Sequence, residues 1–82
     1  MSKYNPLLQY FAKSDEGLLT LSFAQIEKIL GAQLPPSARH HQAWWANQQV
    51  EGHVQAQSWM DAGYHTENLD LNARTVSFRK IV

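Results

Sequence analysis

The side chains best suited to chemistry lie in one short run. Arg39, His40, His41 and Gln42 are followed by Asn47, Gln48 and Gln49, all able to contact phosphates or base edges. Arginine pairs with guanine and asparagine or glutamine with adenine, so a helix presenting them would suit a DNA groove. Near the C-terminus, Arg74, Arg79 and Lys80 could touch the flanking backbone. The alternative use of the same residues is structural: a solvated polar face, with Arg39 packed or paired to hold the Pro35-Pro36 turn. Trp44 and Trp45, adjacent in the chain, point about 100° apart on a helix, so one is expected in the core. The other could stack on a base or anchor a protein interface. Alternatively, both are wedged between helices with their indole N–H groups bonded.

Other chemistries find little support. His40, His41, His53 and His65 lack the i, i+4 pairing of a helical metal site, and neither Glu51 nor Asp61 stands at a motif spacing from them. No metal and no cofactor is expected. There is no Ser-His-Asp order and no glycine-rich phosphate loop, so a non-enzymatic protein is expected. The amide-rich run from Gln48 to Gln57 is equally suited to recognition and to a plain loop.

The balance of charge limits the partners. Seven basic and seven acidic residues give a net charge of zero. A generic polyanion binder, which draws affinity from many phosphate contacts, is disfavoured. The distribution is more permissive. Between Gln33 and Gly52, Glu51 is the single acid against Arg39, His40 and His41, and the last nine residues hold Arg74, Arg79 and Lys80 with no acid. The chain has no cysteine, which removes disulfides and thiolate zinc sites. Met1–Pro6 has no apolar h-region, and no apolar run is long enough for a membrane span, so a cytoplasmic location is expected.

The elements that must position these residues fit one domain over all 82 residues. A chain this short buries only about 60–65% of its unfolded surface, so Trp44, Trp45, Trp59, Phe11, Phe23, Phe78 and Tyr64 must carry much of the core. Tyr4, Leu7, Leu8 and Phe11 fall at i, i+3, i+4 and i+7, the buried face of a helix with Pro6 in its first turn. Leu18–Leu21 is a short strand. Ser22 and Gln25 form a capping box, with Leu21 and Ile26 as its hydrophobic staple. Phe23, Ile26, Ile29 and Leu30 continue the stripe, and Gly31 ends the helix. Pro35-Pro36 stiffens a connector, and Ser37 is the expected N-cap of a third helix over residues 37–48. Gln48–His53 breaks it. A fourth helix from Val54, carrying Trp59 and Met60, stops at Gly63. Tyr64–Leu71 and Arg74–Ile81 alternate as a hairpin around Asp70-Leu71-Asn72-Ala73.

Helix, strand, three helices and a β-hairpin make an α+β chain with a small antiparallel sheet, in the order of a winged helix-turn-helix. The helix after Val54 departs from the simplest version.

Three segments together, Leu34-Pro35-Pro36-Ser37-Ala38-Arg39, Ala43-Trp44-Trp45-Ala46-Asn47 and Trp59 with Ala62-Gly63, resemble a small prokaryotic domain family of unassigned function. Its pattern is LPxSAR…AWWAN…aWxxAG. Leu19-Thr20-Leu21-Ser22-Phe23 and the final Val76-x-Phe78-Arg79 fit too, so the resemblance spans nearly the whole chain. It implies a winged-helix-like fold and no particular activity, and marks Ser37, Arg39, Trp44, Trp45, Asn47 and Trp59 as family-like positions.

Two functions follow as expectations. One is a DNA-binding module that uses helix 37–48 and the hairpin. The other is a protein-interaction module (a subunit, adaptor or inhibitor of a nuclease or defence complex, or a homodimer) that uses an exposed tryptophan.

Overall fold

The computed structural model describes residues 3–48 and 54–81. Gln49, Glu51, Gly52 and His53 therefore lie outside the described residues. The elements are α1 (Asn5–Ala12), β1 (Leu18–Ser22), α2 (Phe23–Leu30), α3 (Pro36–His40), a 3₁₀ turn (Gln42–Trp45), α4 (Val54–Met60), β2 (Tyr64–Asp70) and β3 (Thr75–Lys80). They form an α+β fold of four α-helices and one antiparallel sheet in the order β1-β3-β2.

The passage from β1 to α2 follows local rules closely. The Ser22 hydroxyl accepts the Gln25 N–H at 3.0 Å, while the Gln25 side chain accepts the Ser22 N–H at 2.8 Å. Two donors that the helix leaves unpaired are thereby satisfied. Leu21 and Ile26, the staple, are both buried. Gly31 closes the helix at φ 73°, a left-handed conformation that is costly for side-chain-bearing residues, and its N–H bonds back to the Glu27 carbonyl. Ile29 and Leu30 are less enclosed than the stripe predicts; both are half-buried.

One sheet face carries Leu19, Leu21, Val76, Phe78, Tyr64 and Thr66, and the helices cover it. The core beneath is aromatic. Phe23 stacks on Trp45 at 5.0 Å, Trp45 on Trp59 at 6.0 Å, and Trp59 meets Phe78 edge-on at 5.6 Å. Phe11 joins from α1 against Phe78 and Tyr64. Such tilted and offset pairs add to the apolar burial that stabilises a small domain.

The third helix is shorter than expected. It ends at His40, because His41 is extended (φ −126°, ψ 117°), and residues 42–45 turn separately. Ser37 is not its N-cap: Pro35 occupies that position without a side-chain bond, and Pro36 opens the helix. Tertiary contacts overrule local helix preference here. The Trp45 indole N–H donates to the Ala38 carbonyl at 2.7 Å, folding the chain back on itself. The expected hairpin is present, with Asp70 paired to Thr75 so that its turn is residues 71–74, and with a bulge where Asn68 (φ 53°) and Leu69 oppose Val76.

Candidate functional site

The run expected to read DNA is divided between exposed side chains and side chains bonded within the chain. His40, His41 and Gln42 are exposed. Arg39 is not free: its Nη2 donates to Glu27 Oε2 at 2.6 Å, and the same oxygen accepts the Leu34 N–H at 2.8 Å. Glu27 therefore ties the end of α2 to the residue before Pro35-Pro36, and Arg39 neutralises it. The Leu34 bond holds the Glu27 carboxyl below its ordinary pKa; partial burial opposes this, and Arg39 reinforces it. Arg39 thus has the ion-pair partner that a structural role beside the Pro35-Pro36 turn requires.

Asn47 is also engaged inward. Its Oδ1 accepts from the Trp59 indole at 3.0 Å, the Thr66 N–H at 2.8 Å and the Thr66 hydroxyl at 3.0 Å. Its Nδ2 donates to the Thr66 carbonyl at 3.1 Å. One side-chain amide thus bonds both outward-facing backbone groups of Thr66, as a neighbouring strand would. The Thr66 hydroxyl also donates to the Trp45 carbonyl at 2.6 Å. The 3₁₀ turn and Asn47 cover the free edge of β2 at Thr66, a protection against unwanted strand pairing there. An open cleft of about 520 Å³ lies beside this seam, between Gln42, Ala46, Glu67 and Asn68.

The tryptophans divide as adjacent residues must. Trp45 is buried at 2% exposure, while Trp44 is half-buried, edge-on to Tyr4 and Trp45. Gln55 donates to the Trp44 carbonyl at 3.0 Å and holds that segment against α4. Neither indole is the exposed centre of an apolar patch.

The hairpin cations are dispersed. Arg79, on the outer sheet face, pairs with Glu67, and that bond followed by charge attraction raises its pKa further. Lys80 reaches the Ser14 carbonyl at 3.4 Å and lies over the Tyr64 ring. Arg74 is exposed at the hairpin tip with φ 58°. Among the described residues, no three histidines, aspartates or glutamates stand close enough to hold a metal, and no helix is long and apolar enough to cross a membrane.

A second surface lies at the opposite edge of the sheet, where the sequence offered no candidate site residue. Gly17 accepts from Lys80, and Phe23 donates to Arg74, so odd-numbered residues of β1 bond to β3. The backbone groups of Leu18 and Thr20 consequently face outward from the sheet. Beside this edge stands Tyr10, 39% exposed, with an open hollow on each side. One, about 320 Å³, is lined by Leu21, Gln25, Lys28 and Ile29; the other, about 310 Å³, by Lys13, Ser14, Glu16 and Leu19. The uncharged Leu18–Leu21 run was its one sequence signal, and nothing local says which strand ends up at an edge.

Comparison with known proteins finds no match among curated proteins and none among solved structures. A family model described as "Domain of unknown function (DUF7662)" matches residues 4–81. With the match running from α1 through β3, the chain belongs to this family.

Proposed function

We propose that this domain is a non-enzymatic protein-interaction module, and that the open edge of β1 with the Tyr10 surface is its contact face. The observation that carries this reading is the contrast between the two sheet edges. Asn47 covers that of β2 at Thr66, whereas β1 presents outward backbone groups, with the 45% exposed Leu18 and, from α1, Tyr10 beside them. Its cation distribution points the same way. Arg39 and Arg79, two of the groups expected at phosphates, are neutralised by Glu27 and Glu67. A photo-reactive residue at Leu18 is expected to give one discrete protein adduct in the native cell, and none when placed at Asn72 in the hairpin turn. Equal labelling at both positions, or none at Leu18, would overturn the reading.

A DNA-binding reading rests on a different observation. The helix, strand, helices and hairpin order, with all three strands in one antiparallel sheet, supports a winged-helix-like architecture, and His40, His41, Gln42 and Arg74 are exposed. In that frame α4 precedes the hairpin, yet its exposed Val54 and Gln57 add no cation. With Arg74 and Lys80 as phosphate contacts, the salt slope would be near −1.8, far shallower than for 6–10 contacts. A random duplex bound with a steep salt slope would favour DNA over protein.

A further inference from the structure

Strand β1 combines three features. Its outward backbone groups at Leu18 and Thr20 provide the donors and acceptors that a further strand needs. No proline, bulge or inward-pointing charge blunts this edge, in contrast with the Asn47-covered edge of β2.

The two hollows repeat with the period of a strand. One is lined by Leu19 and the other by Leu21, two residues apart on the helix-facing side of β1, with Tyr10 between them. A strand laid along β1 directs alternate side chains to that side, about 6.5–7 Å apart. Two such side chains would enter the hollows on either side of the Tyr10 ring. Apolar linings at Leu19, Leu21 and Ile29 call for apolar occupants.

Charge at the rim selects the flanks. Lys28 borders one hollow and Lys13 the other, and among the described residues neither has an ion-pair partner. Glu16 adds a single opposing charge at one end.

Resting on the protein-interaction reading, we infer that β1 is a strand-addition site for an extended segment of another protein, with two apolar residues two positions apart and acidic residues flanking them. A second copy fits less well. Pairing β1 with itself about Thr20 would bring two Tyr10 rings to the same place and supply Leu19 and Leu21 as occupants, although Leu21 is already 6% exposed against its own core.

Fluorescence anisotropy with the full chain tests this. The probe is a labelled synthetic nonapeptide with two valines two positions apart, threonine between them and glutamates at both ends. Its controls carry lysine flanks, or N-methyl groups on the amides that would face β1. Thr20→Pro removes the outward N–H and the Thr20–Ser77 hydroxyl bond but leaves the backbone bonds to β3, and Thr20→Val, which loses the same hydroxyl bond and keeps the N–H, is its control. Lys13→Glu with Lys28→Glu reverses the rim charge at exposed positions. The glutamate-flanked peptide is expected to bind saturably, with N-methylation, Thr20→Pro and the charge reversal each weakening it about tenfold or more. The reversed variant is expected to prefer the lysine-flanked peptide. Absence of saturable binding, equal binding of the N-methylated peptide, or parent-level binding by the reversed variant would overturn the inference. So would concentration-dependent dimerisation of the parent chain that displaces the peptide. If those tests fail while Leu18 still gives its single cross-linked adduct, the interaction reading stands and strand addition falls.

Discussion

Two of the residues expected to make polar contacts outside the molecule, Arg39 and Asn47, make them within it. Asn47→Ala would leave the buried Trp59 indole N–H and the Thr66 N–H without their acceptor. Each orphaned donor costs about 1–3 kcal/mol, so a loss of roughly 2–6 kcal/mol is expected. Thermal unfolding should show this as a Tm lowered by at least about 8 °C. A base-reading role would instead change nucleic-acid binding at unchanged stability. Glu27 gives a pH signature. Its folded pKa lies below the ordinary value, so it contributes stability above the unfolded pKa, about 4.3, and loses it as pH falls through the lower, folded pKa. Chemical denaturation across that acid window should show a shallower decline for Glu27→Gln than for the parent. These partners were hidden from the sequence for a simple reason: Arg39 lies 12 residues from Glu27, and Asn47 lies 19 from Thr66. Residue type showed that such groups bond, but the fold chose with what.

Elements were legible where neighbouring residues decide them. The Ser22–Gln25 box, the Leu21–Ile26 staple and Gly31 act within one or two turns, so α2 was readable at both ends. Ser22→Ala is expected to cost about 1 kcal/mol, lowering Tm by roughly 4–8 °C in thermal unfolding. Helix 37–48 was misread because its alanine-containing sequence is locally compatible with a helix throughout. What ends it at His40 is the Trp45 bond to Ala38 and the pull of Asn47 toward β2, both tertiary. The bulge at Asn68 and Leu69 was illegible for the same reason: it is a relation to Val76, not a property of the strand.

At the scale of the whole molecule, an uncharged balance and an aromatic core settle into a sheet with two unlike edges. The order of elements indicated an α+β domain, while the position of β1 at the edge required the full topology, since β3 is the last strand made and takes the centre. The chemically distinctive residues lie from Arg39 onward, whereas the open surface is built by residues 10–29, whose types alone suggest no site. The most direct measurement of this asymmetry is native-state amide hydrogen exchange on the free chain, read residue by residue. The Leu18 and Thr20 amides are expected to exchange far faster than that of Thr66, whose N–H is held by Asn47, and than those of their β3 neighbours. Protection of Leu18 and Thr20 equal to that of Thr66 would show that the β1 edge is covered, and would contradict the account.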